Sequence, residues 1–296
     1  MFTRQPGLAA CSALLFALVV MPASALAVTF TVIDFPGARD TFSYGVNAEG
    51  DIVGAYTDQV SNLTHGFLLH QGAFTAIDFP GAIFTQPFGV NQKGDIVGTY
   101  LPAGGSLSNA QGFLLHQGIF TTIAFPGAAR TQAFGINSQG DIVGFYDLPG
   151  AEPPPGPFPP PRPFQGFVLH QGTFTTIDFP GAFLTEAIGI NSEGDIVGLY
   201  NLPGASSLGF VLHQGTFTTI APPGASYTEA HGINPKGDIV GLYGPSGEYL
   251  LHQGTFTTFD FPGAIFTVGF AINPKGDVVG GYLDATFSFH GFLMQQ

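Results

Sequence analysis

The stretch FTTIDFPGAFLTEAIGINSEGDIVGLYNLPGASSLGFVLHQG, residues 174–215, decides the fold, because the chain repeats it. Copies of its opening begin at Phe30, Phe74, Phe120, Phe174, Phe217 and Phe256, spaced by 39 to 54 residues. A period near 40–50 with several short strands per copy is the sequence pattern of a propeller. Within the quoted copy the first strand ends at Gly189-Ile190-Asn191. The second is Asp195 to Tyr200, the third Gly209 to Leu212, and the fourth the next FTTI, from Phe217. β-branched and aromatic residues fill all four, and turn residues bound them.

The turns carry the same message. Asn, two residues and Gly recur six times, from Asn47/Gly50 to Asn273/Gly276, twice with Pro in second place (Pro235, Pro274). That is type I turn chemistry, with the glycine taking a positive φ. Gln71-Gly72 and its four later counterparts suit a two-residue hairpin between strands three and four. Pro36-Gly37 and its equivalents end the fourth strand and start the crossing to the next unit. Strand two is apolar on both faces: Ile196 and Tyr200 point one way, Val197 and Leu199 the other. Such a strand belongs inside a blade covered by two neighbours. Its recurrent glycine (Gly54, Gly98, Gly144, Gly198, Gly241, Gly280) predicts close approach of a neighbouring backbone.

The chain ends fit a ring. Phe30 to Phe35 is a spare fourth strand, and Gly291 to Met294 is a third strand without a fourth. Pairing them hides two open edges. The expectation is therefore an all-β, six-bladed β-propeller of four-stranded blades, closed by the N-terminal strand, as one domain over residues 28–296. An open solenoid is the alternative and would leave both edges bare.

Residues 1–27 read as a signal peptide: Arg4, an apolar run from Leu8 to Met21, Pro22, and an Ala25-Leu26-Ala27 cleavage site. This predicts a secreted or periplasmic protein. Cys11, the only cysteine, leaves with that segment, so no disulfide or thiol chemistry is expected. The net charge is −13, from 7 Lys+Arg against 20 Asp+Glu, which opposes binding to nucleic acid or an anionic membrane. A monomer is expected.

These residues resemble the bacterial extracellular HAF-type repeats, whose third strand carries His-Ala-Phe or His-Gly-Phe. His65-Gly66-Phe67 and His290-Gly291-Phe292 match directly, Gln111, Gln165 and Leu208 replace the histidine in three copies, and Gly247-Glu248-Tyr249 departs altogether. The resemblance covers residues 30–296. It implies export and a propeller-like fold, and it implies no reaction, so it brings over no catalytic residue.

Topology sorts the loops into two faces. The N-x-x-G and H-Q-G turns share one face and are uniform. The two-to-three and four-to-one connections share the other and vary, up to the proline-rich insert at 147–165. Variable loops on a rigid scaffold are where binding is grafted. The expected ligand contacts are accordingly Arg39, Phe84, Arg130, Phe183, Glu186, Tyr227, Glu229, His231 and Phe266. The aromatic members either face a ligand or pack between blades. The ligand would be a glycan, a peptide or a surface protein. The second functional class is an exported lyase or hydrolase with its site at the channel mouth near Glu229 and His231. Spaced by two in a strand, these two side chains point the same way.

Neither polar ring predicts a metal or cofactor site. His70, His116, His170, His213 and His252 lie one per unit around a wide rim, too far apart for one ion. Asp51, Asp95, Asp141, Asp195, Asp238 and Asp277 each sit beside a tight turn, where a carboxylate is expected to accept turn N–H groups.

Overall fold

A computed structural model describes residues 28–149, 164–244 and 247–295. Residues 1–27 and most of the proline-rich insert, for which leader and loop roles were expected, lie outside the described residues.

The repeat folds as an antiparallel meander. In the quoted copy the strands are Leu184–Ile190, Ile196–Asn201, Leu208–His213 and Thr216–Ile220, hydrogen-bonded in that order. Equivalent four-stranded sheets start at Arg130 and Thr228. A fourth sheet takes its strands from both ends of the chain. Phe266–Ile272, Val278–Leu283 and Phe289–Gln295 are followed by Thr29–Ile33, which pairs antiparallel from Thr29↔Gln295 to Ile33↔Gly291.

The remaining strands depart from six separate sheets. Two meanders, Ala38–Val46 through Ala73–Ile77 and Ala82–Val90 through Ile119–Ile123, form one eight-stranded sheet. A single parallel pairing, Thr64↔Phe84, joins them. In these two units the inner strand is also two residues longer at its outer-loop end than in the unit that follows.

The core sits between sheets. Val143 and Ile177 of one sheet pack with Ala187, Ile196, Tyr200 and Phe210 of the next. The strand-two valines at 53, 97, 143, 197 and 240 are fully buried, as are Phe67, Phe113, Phe167, Phe210 and Phe292. Each such side chain contributes about 1.5–3 kcal/mol on burial. A ring stack bridges neighbouring sheets in five units. Phe179, just past a fourth strand, lies flat on Tyr200 at 3.5 Å and 4°, and Phe35/Tyr56, Phe79/Tyr100, Phe125/Tyr146 and Phe261/Tyr282 repeat it. The recurrent threonine fixes the crossing: Thr185 Oγ1 accepts the Phe179 N–H at 3.0 Å.

The turns follow their sequence. Gln71 and Gly72 both have positive φ, 49° and 81°, as a two-residue hairpin between right-twisted strands requires. Gly198 has no room for a side chain, because a Cβ would lie 1.8 Å from the Glu186 carbonyl oxygen. Each inner strand also carries a register shift, such as that between Ala187 and Gly189, which bends it around the central axis.

Candidate functional site

The turn face is built from one motif. Asn137 Oδ1 accepts the backbone N–H groups of Gln139, Gly140 and Asp141. Its Nδ2 donates to Asp141 Oδ2 and to the Asn191 carbonyl of the next unit. The second contact recurs from Asn47 to Asn91 and onward to Asn273, whose Nδ2 donates to the Asn47 carbonyl at 3.2 Å. The six asparagines form a closed circuit. The other carboxylate oxygen, Asp141 Oδ1, accepts from His170 Nδ1 at 2.6 Å, and four other units repeat this pair. The expectation that the aspartates accept turn N–H groups is therefore corrected. The Asn side chain reaches those donors first, and the aspartate instead ties the asparagine to the histidine.

The inner strands enclose a channel of about 260 Å³. Its walls are apolar: Val46, Val90, Ile136, Ile190, Ile233 and Ile272 form one ring, and Tyr44, Phe88, Phe134, Ile188, His231 and Phe270 another. Four of the rings touch in sequence, Phe134–Phe88 at 4.8 Å, Phe88–Tyr44 at 5.1 Å and Tyr44–Phe270 at 4.9 Å. Beyond the Val/Ile ring lies a smaller space of about 70 Å³ lined by the asparagines.

One strand-alternation step nearer the variable loops, the channel-facing residues include Gln86, Gln132, Glu186 and Glu229. Removal from water and the Glu229 charge push the Glu186 carboxyl up to about 7, against the pull of Arg130 and His231. His231 Nε2 lies 3.2 Å from Glu229 Oε2, and Nδ1 lies 2.8 Å from the Gly269 carbonyl oxygen. Both ring nitrogens face acceptors, which suits the imidazolium. Burial opposes that charge, but the Glu229 hydrogen bond and charge, with Glu248 behind them, leave the His231 pKa raised.

Glu248 stands where the other units have glycine in strand three. Its Oε2 accepts the Gly269 N–H at 2.8 Å, and Oε1 is buried without a partner among the described residues. Burial pushes this carboxyl up to about 8, against the Gly269 N–H and His231. Beside it Tyr249 replaces the usual phenylalanine, and its hydroxyl donates to the Glu229 carbonyl oxygen at 3.0 Å. Residues 229, 231, 248, 249 and 269 thus form one connected polar network at the joint between two sheets.

The comparisons agree on the architecture. The fold is a β-propeller. AofleA from Arthrobotrys oligospora is similar over 90% of this chain and 86% of its own, at 12% identity and a TM-score of 0.53. A fucose-specific lectin from Aleuria aurantia gives 86% and 91%, 11% identity and 0.51. The β-propeller domain of the Trilobed protease from Pyrococcus furiosus gives 86% and 95%, 10% identity and 0.50. At such identities the likeness concerns fold alone. No family model and no curated protein matches the chain.

On this propeller the nine sequence-derived residues separate. Arg130, Glu186, Glu229 and His231 come together at the channel mouth. Arg130 is held there with its guanidinium 4.4 Å from the Phe164 ring and 5.0 Å from Phe145, its Nη2 3.4 Å from Asp147 Oδ2. Arg39 stands apart, exposed and bound to Asp40 and Asn62. Phe84 is part-buried at the inter-unit pairing, Phe183 and Tyr227 are part-buried, and Phe266 is exposed. Glu248, Tyr249, Gln86 and Gln132 are additions. Aligning the six copies column by column exposes all four: two break the third-strand pattern and two share the Glu186 column. Among the described residues no three His, Cys, Asp or Glu side chains converge as metal ligands.

Proposed function

We propose that this protein is an exported binding protein of the HAF-repeat type, which takes a glycan on its variable-loop face around the channel mouth. The observation that carries the reading is the Glu229–His231 pair at 3.2 Å on an inner strand, with Glu186, Gln132 and Gln86 in the same strand column and Arg130 two residues before Gln132. Charged and amide groups at the rim of a concave site are what hydroxyl-rich ligands require. That one propeller of similar fold is a fucose-specific lectin sets the first ligand class to test. Counting the eight-stranded sheet as two blades held by one pairing gives six blades, and the strand Thr29–Ile33 then closes the ring. Export rests on the leader-like residues 1–27, and the protein acts as a monomer.

The test is a glycan array probed with the mature chain, repeated with the E186Q/E229Q double variant. At least one glycan class should bind, and the double variant should lose about tenfold or more. An empty array, or an unchanged variant, overturns the reading.

A specific observation favours a second reading, an exported lyase or hydrolase. Glu186, near 7, holds or releases a proton close to neutral pH, and His231 beside Glu229 has its pKa raised, as general acid–base catalysis can use. Turnover of polysaccharides that disappears in E186Q and H231N would establish it. Binding without turnover would exclude it.

A further inference from the structure

The channel below the mouth is unused by the glycan reading, and its chemistry is different. At about 260 Å³ it exceeds the ~150 Å³ apolar cavity that admits benzene. Only two of its lining side chains, Tyr44 and His231, are polar, and His231 is committed elsewhere. Tyr44 is part-buried in the wall, and His231 bonds Glu229 and Gly269. Water inside would find few partners, so an apolar occupant is favoured.

At the mouth Arg130 is paired with Asp147 and His231 with Glu229, which leaves Glu186 as the uncompensated charge that selects what enters. No donor among the described residues hydrogen-bonds the Glu186 carboxyl, and Glu229 uses only one carboxylate oxygen on His231. The net charge of −13 repels an anion. An ammonium brings three donors and no acceptor, matching the open carboxylate oxygens.

We infer that the propeller channel is a binding site for a primary amine with a short apolar body, the body lying among Phe88, Phe134, Ile188 and Phe270 and the ammonium held by Glu186 and Glu229. This goes beyond the glycan reading and does not rest on it.

Isothermal titration of the mature chain at pH 7 with hexylamine, 1-hexanol and hexanoate tests it. The amine is fully protonated there. Hexylamine should bind at least tenfold more tightly than hexanol, and hexanoate should give no binding. E186Q should bring hexylamine down to the affinity of hexanol. Ile188→Phe, which adds a ring to the channel wall and leaves the mouth carboxylates in place, should abolish both. No binding of hexylamine, equal binding of hexanoate, or an E186Q variant that binds hexylamine like the wild type overturns the inference. If Ile188→Phe does not melt cooperatively, the near-isosteric E186Q decides alone. The glycan array separates the two readings. Glycan binding without hexylamine binding removes only the channel site, and hexylamine binding with an empty array removes only the glycan.

Discussion

Glu248 Oε2 accepts the backbone N–H of Gly269 at 2.8 Å, and each residue is a departure from the repeat. Elsewhere the third strand has glycine where this unit has Glu248. The facing inner strand carries Ser43, Pro87, Ala133, Ala187 or Ala230 where this joint has Gly269. A Cβ on Gly269 would come within 2.7 Å of Val240 and 2.9 Å of Phe259. Gly269→Ala should therefore destabilise by about 1–3 kcal/mol, the range for overpacking a core. Chemical denaturation measures it, and a neutral result would mean that the joint is looser than its geometry.

Stability should fall as pH rises. The Glu186 and Glu248 carboxyls, near 7 and 8 when folded, keep protons that an unfolded chain gives up near 4.3. From about pH 4.5 to 8 the folded state binds more protons, so stability decreases across that window. His231, also raised, works in the same direction: its contribution is present below its ordinary value and is lost as pH rises. The melting temperature should drop between pH 5 and pH 9, and E248Q should flatten the drop. A wild type whose melting temperature climbs with pH contradicts this account.

The asparagine circuit predicts an asymmetry between substitutions. Asn137→Ala leaves the Gln139 and Asp141 N–H groups without an acceptor, while Gly140 keeps its bond to the residue-137 carbonyl, at a cost of about 1–3 kcal/mol for each that water cannot reach. Asn137→Asp keeps the acceptor but sets a second carboxylate beside Asp141. Its destabilisation should be partly relieved below pH 4, where Asn137→Ala shows no such relief. Thermal melts at pH 3.5 and pH 7 distinguish them.

The inter-sheet stacks should dominate single-site energetics. Tyr200→Ala removes a ring packed flat on Phe179 and should cost about 3–5 kcal/mol, as large aromatic truncations in cores do. Tyr200→Phe loses only the hydroxyl contact with Thr219, at 2.9 Å, and should cost about 0.5–1.5 kcal/mol. Equal losses in the two variants would show that the stack contributes little.

Deleting residues 28–36 removes the partner of Phe289–Gln295 and withdraws Phe30 from Phe261 and Phe292. An unpaired edge strand recruits other chains. The truncated protein should aggregate, and a monomer of unchanged melting temperature by sedimentation would contradict the pairing.

Much of this architecture is legible in the sequence because the determinants are local. Asn-x-x-Gly, Gln-Gly and Pro-Gly each specify a turn through backbone conformation, and the alternation from Ile196 to Tyr200 specifies a strand covered on both sides. The sheet count was not legible, since it turns on one pairing between Thr64 and Phe84 across units. The aspartate partners were missed for a similar reason. His170 is near Asp141 only after the third strand has folded back on the second. At the channel mouth, Glu229 and His231 could be paired by strand alternation alone. Glu248 could not be added to them, because it arrives from another strand, although its break with the glycine column was visible.

The asparagine circuit has a consequence for how such a chain arises and is rearranged. Every unit gives its neighbour the same donor that it takes from the one before, so the circuit has no first member. Where the polypeptide starts is arbitrary to it. A gene recut so that translation begins at another proline–glycine crossing, with the old ends joined, encodes the same girdle, and circular permutants opened at Pro80, Pro180 or Pro262 inherit an identical turn face.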